Sequence, residues 1–536
     1  MSNIELLDCT LRDGAYITDS NFGTSAMKGI ILHMQNANVD IIECGWLKDK
    51  PHKEGSSYYH IPSDLCDYLT EKNPNSMYVA MIDWDRYDDS FLPPCDGKSL
   101  DAIRVVFPRG KHLGGIEIGN RIKAKGYTVM YQAANTLAYT NEELVSLAEA
   151  INKAMPSSLS IVDTFGAMYD EDLARIAKVL NDCLDPQIKL GFHSHNNQQL
   201  SFSLSIQFVE MSRQWKRDII VDASLCGMGR GAGNTTTELM ASYLNRKCHA
   251  NYDMNQILDA IDMYMGQFQQ QYKWGYSTPY FISGMYCTHV NNIAYLLNNH
   301  RTNATDMRNI IESLPPADRL KYDYDLLEEK YLDYQNKIVD DAAVLEILKN
   351  KFHGRKILLV ASGKSIVIEK DKIDAFIQKE RPVVIGLNYV HEDYPYDYAF
   401  FSNKVRYQYA LETMGDAFPK VRKIITSNVK TAPSENEQIV NINFLVKRGW
   451  RHFDNSMITC LRLMNVLHLK DVALAGFDGF SKIYEDSYAD PNLPSLNVEN
   501  KWDDLNVEIK DMFNDFMASV NGHMDITFLT KSIYAG

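Results

Sequence analysis

Eight short apolar stretches recur up to residue 229, and this repeat constrains the fold more than any other feature of the chain. They are Ile4–Thr10, Asp40–Trp46, Met77–Asp83, Ala102–Pro108, Thr128–Ala134, Ser158–Thr164, Ile188–His195 and Asp218–Gly229. Their nearly continuous hydrophobicity is typical of parallel strands buried on both faces. Segments with helical periodicity, such as Asn141–Met155, lie between them. Eight strand–helix units in about 250 residues predict a TIM (β/α)8 barrel, which we favour over a six-stranded open sheet.

The length and charge of the chain narrow its class. With 536 residues it exceeds one ordinary domain, so we expect two or more. A net charge of −14 argues against a nucleic-acid partner. No apolar run is long enough to span a bilayer, and the chain enters a strand at once without a secretory leader. Nine scattered cysteines without a C-x-x-C pair suit reduced thiols, so we expect a cytoplasmic protein.

The sequence pattern changes twice after the barrel. We assign residues 1–285 to the barrel and residues 286–353, which have helical periodicity, to a helical extension or linker. From Gly354 onward short apolar strands appear again, with helical segments among them. Residues 354–536 are therefore predicted to form a Rossmann-like α/β domain. The predicted fold class is α/β for both domains.

The seventh predicted strand ends in His193-Ser194-His195. Side chains two positions apart on a strand point the same way, so the two imidazoles share one face. A carboxylate with two histidines can hold a divalent cation that keeps open positions. Asp13, directly after the first strand, offers that carboxylate. For the histidine pair alone, two unrelated histidines with one packed in the core would be the favoured interpretation.

The position of these residues in the predicted barrel favours the metal site. Active sites of such barrels lie at the carboxyl ends of the strands, and strands seven, eight and one are neighbours in a closed barrel. Asp13, both histidines and Asn234 therefore fall on one arc of the rim. Thr164 follows the sixth strand at the same rim, and we expect it to bind substrate.

Three motifs carry a resemblance to a known family. The segment Asp8–Gly14 matches D-x-T-L-R-D-G, Gly191–Asn197 matches G-x-H-x-H-[ND], and Gly227–Asn234 is similar to a glycine loop after strand eight. These motifs resemble those of the DRE-TIM metallolyases, which include 4-hydroxy-2-oxovalerate aldolase, hydroxymethylglutaryl-CoA lyase and isopropylmalate synthase. The resemblance covers about Ile4 to Leu297.

The resemblance implies a role for each matched residue. Asp13, His193 and His195 match the metal ligands, and Asn234 matches a fourth ligand found in some members. Arg12 matches the arginine that binds substrate and stabilises the enolate. The chemistry agrees, because a permanently cationic guanidinium can hold a developing enolate oxygen. A structural salt bridge is the alternative role for Arg12.

Further candidates are less direct. Glu43 is a charged residue in a buried strand and needs a partner, for which Arg12 is the simplest choice. Tyr16 stands where the aldolases have an acid/base histidine, so it either transfers protons with a lowered pKa or only shapes the pocket. Tyr286 resembles a substrate-orienting tyrosine and is equally suited to the core. The cysteine loop of hydroxymethylglutaryl-CoA lyase is missing, which disfavours a CoA-thioester lyase.

In the second domain, the turn Ser362–Ser365 follows a predicted strand. Such a turn can receive phosphate through backbone N–H groups, or Ser365 can simply cap a helix. With Asn388 and Ser427 at neighbouring strand ends, we expect a pocket for a nucleotide or nucleotide sugar. Lys364 would supply a phosphate-facing charge. Residues 356–484 weakly resemble Rossmann-type bacterial sialyltransferases. The predicted residues are Ser362, Gly363, Lys364, Ser365, Asn388 and Ser427.

Together these features predict a metal-dependent aldolase that makes or breaks a C–C bond through a metal-stabilised enolate of a pyruvate-type 2-oxo acid. We expect Mn or Mg, with Zn or Co as alternatives. The expected partners are a 2-oxo acid with an aldehyde or sugar, and a second copy of the chain. A Claisen-type acyltransferase is the first alternative function. The second is a nucleotide-sugar-dependent transferase that acts through the second domain, with the barrel as scaffold.

Overall fold

The first of two units in the computed structural model, Met1–Val290, is built on a closed parallel sheet. The structure describes residues 3–300, 302–452, 455–495, 497, 500–520 and 522–535. The strands are β1 (Ile4–Asp8), β2 (Ile41–Leu47), β3 (Tyr58–Tyr59), β4 (Met77–Asp83), β5 (Ala102–Phe107), β6 (Thr128–Ala133), β7 (Ser158–Asp163), β8 (Lys189–Ser194) and β9 (Ile219–Ala223). Their order is β1-β9-β8-β7-β6-β5-β4-β2-β3, and β1 also pairs with β2. The predicted barrel is confirmed, with β3 as a two-residue addition beside β2.

Helices cover the outside of this sheet. They are α1 (Thr10–Asp13), α2 (Ala15–Thr18), α3 (Thr24–Asn36), α4 (His112–Ala124), α5 (Asn141–Ala154), α6 (Asp170–Cys183), α7 (Ser201–Ser212), α8 (Thr237–Cys248), α9 (Met254–Ala260), α10 (Gly266–Gln271) and α11 (Thr278–Met285). The local sequence sets their start and burial. In α5, Thr140 and Glu143 form a capping box, and Leu144, Leu147 and Ile151 form a buried stripe at helical spacing.

The interior of the barrel is layered. An apolar layer includes Leu7, Ile41, Ala102 and Ile220. Two residues further along three of these strands, on the same faces, stand the charged side chains of Glu43, Arg104 and Asp222. The charged layer thus lies on the side of the carboxyl ends, below the rim where the predicted site residues stand.

The second unit, Asn291–Gly536, has an open parallel sheet. Its strands are β10 (Ile357–Val360), β11 (Val383–Leu387), β12 (Tyr398–Phe401), β13 (Arg422–Thr426), β14 (Glu437–Val440), β15 (Asp471–Ala475) and β16 (Asp525–Phe528). The order β14-β13-β12-β11-β10-β15-β16 reverses direction at β10. This arrangement agrees with the predicted Rossmann-like α/β class.

The remaining helices lie around this second sheet or lead into it. They are α12 (Val290–Asn299), α13 (Ala304–Ser313), α14 (Pro316–Arg319), α15 (Tyr324–Gln335), α16 (Ala342–Phe352), α17 (Ser365–Ile368), α18 (Lys370–Glu380), α19 (Lys404–Thr413), α20 (Ser456–Val466) and α21 (Trp502–Val520). Among the described helices, none is long and apolar enough to cross a membrane.

The helices expected to form a separate extension group with the second sheet instead. Leu348 and Phe352 of α16 are fully buried in the core of that unit. The Asp341 carboxylate, which precedes α16, accepts a hydrogen bond from the Asn441 backbone N–H at 2.7 Å. Helical periodicity predicts these helices but not their partner, because the contacts that fix it join residues about 100 positions apart.

Candidate metal centre and active site

The predicted ligands converge at the carboxyl ends of β1, β8 and β9. Asp13 lies in α1, the single turn that follows β1, and its side chain is fully buried. His193 is the penultimate residue of β8, and its Nε2 lies 3.3 Å from Asp13 Oδ2. His195 comes directly after β8, and the two imidazole rings meet edge to face with centroids 5.1 Å apart. The structure therefore brings a carboxylate and both histidines into one cluster.

Asn234 joins this cluster from the glycine loop after β9. Its Nδ2 donates to Asp13 Oδ2, and its backbone forms an isolated bridge with His195. Its Oδ1 is buried and has no hydrogen-bond partner in the described part of the chain. Gly229 leaves the necessary room, because a Cβ there would lie 2.6 Å from Asn234 Nδ2. A buried amide oxygen that lacks a partner, beside a carboxylate and two imidazoles, fits a site for a divalent cation.

Asp13 and His193 belong to a closed ring of hydrogen bonds and ion pairs. Arg12 donates from Nη1 to Asp13 Oδ1 at 2.6 Å and from Nε to Glu43 Oε2 at 2.8 Å. Arg104 donates from Nη1 to Glu43 Oε2 at 2.9 Å and from Nη2 to Asp222 Oδ2 at 2.5 Å. His193 Nδ1 lies 3.0 Å from that same oxygen of Asp222. The ionic ring is defined as Arg12, Asp13, Glu43, Arg104, Asp222 and His193.

The ionic ring fixes both the charge and the orientation of the site. Its two guanidiniums face three carboxylates, so with a neutral His193 it carries one net negative charge. When Nδ1 of His193 donates to Asp222, Nε2 is the nitrogen left for a cation. Arg104 is fully buried and holds both Asp222 and Glu43, so it couples the histidine to Arg12.

Reasoning from the sequence missed Arg104 and Asp222. Each lies inside a predicted buried strand, which normally excludes a charged side chain unless it has a partner. The signal was present in the two-residue period: Arg104 stands two positions after Ala102, and Asp222 two positions after Ile220. Charged residues that follow the apolar layer by two positions on several barrel strands indicate a buried ion-pair network.

Electrostatics set the protonation states of the donor groups. Burial favours the neutral form of Asp13, but Arg12 and His193 outweigh it and hold the pKa of Asp13 well below its usual range. Burial opposes the charged form of His193, but hydrogen bonds to Asp13 and Asp222 raise its pKa above the usual value. Burial lowers the pKa of His195 to about 3. At neutral pH, Asp13 is therefore ionised and His195 neutral, the states in which both bind metals.

Cys9 also lies in the cluster. Its Sγ, a carboxylate oxygen of Asp13 and a ring nitrogen of His193 lie within 4.8 Å of one another. However, the thiol donates to the carbonyl of Ala223 at 3.2 Å, and burial raises the pKa of Cys9 well above its usual value. In this structure the thiol hydrogen is thus engaged by a backbone carbonyl. The predicted ligands Asp13, His193, His195 and Asn234 offer oxygen and imidazole nitrogen.

Tyr16 lies beside Arg230, which in turn contacts His289, and reasoning from the sequence missed both Arg230 and His289. The guanidinium carbon of Arg230 is 3.8 Å from the centroid of the Tyr16 ring, and Arg230 Nη1 lies 3.3 Å from His289 Nε2. Tyr16 is 45% exposed, and a phenol acting as base requires a lowered pKa. Burial and then Arg230 lower the pKa of His289 to about 4, so this imidazole is neutral. His289 lies only three residues beyond Tyr286, so the residues that directly follow that motif already contained this signal.

Thr164 and Tyr286 both lie at the rim. The Thr164 hydroxyl oxygen accepts a hydrogen bond from the Asn135 backbone N–H at 2.7 Å, so it holds the loop after β6. Tyr286 directly follows α11. Gly284 in that helix packs on the loop after β7, where a Cβ would lie 3.0 Å from the Gly166 carbonyl oxygen. This close approach places the Tyr286 segment at the same end of the barrel as the ionic ring.

In the second unit, the turn Ser362–Ser365 follows β10. Three of its backbone N–H groups, which the sequence suggested for phosphate, donate to protein acceptors instead. Those acceptors are the Gly476 carbonyl at 3.0 Å, the Ser487 carbonyl at 3.1 Å and Asp478 Oδ2 at 2.7 Å. The Ser365 hydroxyl also donates to Asp478. A phosphate would have to displace these partners, because each N–H has one hydrogen to donate.

The structure separates the six residues predicted for this pocket. Ser362, Gly363 and Asn388 line a cleft at the carboxyl ends of the strands. Lys364, Ser365 and Ser427 were also predicted to line the pocket. The structure contradicts this, because none of them is among the described residues that line the cleft. The Ser427 hydroxyl is buried, where it donates to the Lys337 carbonyl and accepts from the Ile442 N–H.

Comparison with known proteins assigns the first unit to a family. The HMGL-like family model matches residues 116–263. The 4-hydroxy-2-oxovalerate aldolase of Chloroflexus aurantiacus is 34% identical over 270 residues, which cover 48% of this chain and 74% of that protein. The chain belongs to the DRE-TIM metallolyases. The oxaloacetate decarboxylase of Mycobacterium tuberculosis is 23% identical over 278 residues, covering 50% of this metallolyase and 78% of that protein.

A solved structure is also similar to about half of the chain. The N-terminal domain of a Bacteroides vulgatus protein is 28% identical, with a TM-score of 0.48, and covers 54% of this chain and 95% of that one. From the sequence relatives and the family model, the metallolyase is an enzyme of the metal-dependent carbon–carbon lyases, and the aldolase-type function is supported over the acyltransferase and the transferase. Its family uses a divalent metal. The sialyltransferase resemblance of the second unit receives no support from these relatives.

Proposed function

We propose that this metallolyase makes or breaks the C–C bond next to a pyruvate-type enolate, with a 4-hydroxy-2-oxo acid as substrate class. The observation that carries the proposal is the ionic ring, which presents Arg12 beside Asp13 and His193 at the barrel rim. Two relatives are named for 2-oxo acids, 4-hydroxy-2-oxovalerate and oxaloacetate. Cleavage of either acid leaves the same pyruvate-type enolate, which supports a site built to hold that species.

We assign the metal to Asp13, His193, His195 and Asn234. The set offers one carboxylate, two imidazoles and one amide oxygen without a thiolate, which favours Mn²⁺ or Mg²⁺, with Zn²⁺ or Co²⁺ as alternatives. The unpartnered Oδ1 of Asn234 supports its inclusion. When bound, the cation supplies Lewis-acid polarisation of the 2-oxo acid carbonyl.

Arg12 holds the oxyanion that develops during the reaction. Its Nε and Nη1 are committed to Glu43 and Asp13, and these two bonds fix the plane of the guanidinium. Its Nη2 has no hydrogen-bond partner among the described residues, so it is left for substrate. A fixed, cationic donor in a buried site stabilises negative charge without having to reorganise.

Arg230 and His289 bind the substrate carboxylate and accept the hydroxyl proton. Arg230 is cationic and occupies the Nε2 side of His289, which disfavours protonation of that imidazole. A carboxylate bound to Arg230 would neutralise this charge and release the lone pair of Nε2. The imidazole could then take the proton from the 4-hydroxyl group. Tyr16 packs against Arg230 and shapes the pocket.

The proposed activity is tested with three substrate classes and Mn²⁺ present. We expect a 4-hydroxy-2-oxo acid to release pyruvate and an aldehyde, followed by coupled NADH oxidation and by aldehyde trapping. Oxaloacetate would release pyruvate and CO₂ from the same enolate. An acyl-CoA with a 2-oxo acid should release no free thiol. Thiol release without pyruvate would replace the lyase proposal by a Claisen-type acyltransferase.

The proton-transfer assignment is tested by two isosteric changes. We expect His289→Gln to lower kcat by about 100-fold or more, the usual loss for a general base. Tyr16→Phe keeps the ring against Arg230 and should lower kcat less than about tenfold, since only the base itself carries the larger factor. The reverse order of effects would assign the proton to Tyr16.

We propose two further properties that accompany this function. The second unit binds a nucleotide or nucleotide sugar in the cleft where its strand order reverses at β10, the usual ligand position in such sheets. The metallolyase also forms a homo-oligomer, which light scattering of the full chain would measure. A monomer at micromolar concentration would remove that second property.

A further inference from the structure

The cleft of the second unit contains one feature that its strand topology does not explain. Arg406, in the first turn of α19, lines the cleft and is only 7% exposed. Its Nη1 is buried and has no hydrogen-bond partner in the described part of the chain. No carboxylate of the described residues lies within 4.0 Å of its guanidinium. The guanidinium packs on the Tyr488 ring, but its buried Nη1 without an acceptor is destabilising, so its retention calls for a ligand.

Two helices begin at the same cleft. Asn403 caps α19 and Asn455 caps α20, and both asparagines line the cleft. These helices have ten and eleven residues, and their first N–H groups are capped: Asn403 Oδ1 accepts from the Arg406 N–H, and Asn455 Oδ1 accepts from the Met457 and Ile458 N–H groups. The partial positive charge of both termini adds to that of Arg406. An anion in the cleft would therefore meet a guanidinium and two helix ends.

Aromatic side chains form other parts of the wall. The guanidinium carbon of Arg406 lies 4.7 Å from the centroid of the Tyr488 ring, which holds it in place. Phe477 and Phe480 also line the cleft. The enclosed cavity volume is about 110 Å³.

We propose that Arg406 is the phosphate-binding residue of this cleft, and that it takes a phosphoryl group of a nucleotide. The inference rests on the proposed nucleotide function of the second unit and relocates the phosphate away from the turn Ser362–Ser365. The N–H groups of that turn are engaged by Gly476, Ser487 and Asp478. A phosphate offers three or more acceptor oxygens, which matches a fork-shaped donor between two helix ends better than a carboxylate does.

The test is calorimetric titration of the full chain with CMP, UDP, GDP and AMP, and with the four matching nucleosides. We expect at least one nucleotide to bind ten times more tightly than its nucleoside. Arg406→Met should weaken that nucleotide at least tenfold and leave the nucleoside unchanged. The matched control is Arg422→Met, because Arg422 also stacks on a tyrosine, at 5.8 Å from the Tyr398 ring, but at the opposite end of the sheet. It should change the affinity less than twofold.

Stability gives a second readout. Without ligand, Arg406→Met should melt at the same temperature as the parent protein or higher, because it removes a buried cation whose Nη1 has no acceptor. A lower melting temperature would assign Arg406 a structural role and overturn the inference. If that variant does not fold, Arg406→Lys serves instead: it keeps the charge but loses the fork, and should still weaken the nucleotide.

The outcomes separate the inference from the function on which it rests. Nucleotide binding that Arg406→Met does not affect would overturn the inference and keep the nucleotide function. If orthophosphate or glucose 6-phosphate binds in a way that depends on Arg406, and no nucleotide binds, the phosphate site stands and the nucleotide function is overturned. No binding of any of these probes would overturn both.

Discussion

Arg104→Met is the sharpest test of the ionic ring. The methionine replaces a fully buried guanidinium by an apolar side chain of similar length. Two carboxylates then lose a partner at once, Glu43 from 2.9 Å and Asp222 from 2.5 Å. Glu43 keeps Arg12 and Asp222 keeps His193, so each retains one neighbour. The barrel interior changes from two guanidiniums against three carboxylates to one against three.

The magnitude follows from burial. Removing one partner of a buried ion pair costs about 3–5 kcal/mol, because the remaining charge stays desolvated. Both partner carboxylates have side chains with no exposure, so water cannot compensate them without opening the barrel. We therefore expect Arg104→Met to lower the unfolding free energy by about 3–5 kcal/mol. Adding Asp222→Asn to this variant should restore more than about 1 kcal/mol of the unfolding free energy. The change removes one unpaired buried charge, and the asparagine side-chain oxygen still accepts a hydrogen bond from His193.

Urea unfolding at neutral pH with chelator, followed by circular dichroism, measures these values. The matched control is Arg109→Met, whose salt bridge to Glu143 joins side chains that are about 40% exposed. Arg109→Met should lower the unfolding free energy by less than about 1 kcal/mol. A loss below about 1 kcal/mol for Arg104→Met, or destabilisations that simply add in the double variant, would refute the reasoning about stranded buried charge.

Two further predictions concern the rim. Arg12→Lys should keep the fold and metal binding but lower kcat by about 100-fold or more, because a single ammonium cannot reproduce the fork that holds Glu43, Asp13 and substrate. Normal turnover in that variant would give Arg12 a purely structural role. Asn234→Ala should weaken Mn²⁺ by about tenfold or more in a chelator competition, since it removes the unpartnered oxygen. An unchanged Mn²⁺ affinity would exclude Asn234 from the ligand set.

The barrel was predictable because parallel strands buried on both faces leave continuous apolar runs. The run Ala102–Pro108, for example, became β5 with a shift of one residue at its end. The second sheet was predictable for the same reason. That the helices before Gly354 group with the second sheet was not predictable, because long-range contacts such as Asp341 to Asn441 determine it. Local periodicity contains no information about such contacts.

The candidate site was only partly predictable, for a related reason. Asp13, His193 and Asn234 belong to short motifs, and the closed strand order brings them together. The phosphate turn of the second unit failed as a geometric prediction, because Asp478 captures the Ser365 N–H from 113 residues away. The sequence alone does not show which acceptor a backbone N–H group will meet in the fold. Arg406 was missed because a single arginine within a helix usually lies on its solvent face.

The last prediction concerns Asp8, which lies at the end of β1 and is buried. Burial raises its pKa from 3.8 to about 6, although hydrogen bonds from Thr237 and Thr10 oppose this shift. The folded protein therefore holds this proton more tightly than the unfolded chain does. The stabilisation is fully present below about pH 3.8 and is lost as pH rises through about 6. A shift of about two pKa units corresponds to roughly 3 kcal/mol.

Asp8→Asn removes this titration with little structural change. The side-chain oxygen of the introduced asparagine can still accept from the Thr10 N–H, which lies 3.0 Å from Asp8 Oδ1, and its amide can donate to the Thr237 hydroxyl. We expect the unfolding free energy of the parent minus that of the variant to fall by roughly 2 kcal/mol between pH 4 and pH 7. Asp182→Asn, at an exposed ion pair on α6, should show a difference below about 1 kcal/mol over that range. A constant difference for Asp8→Asn would mean that Asp8 is ionised throughout, because then no proton is released as the pH rises. The β1 end would in that case be polar enough to solvate a carboxylate.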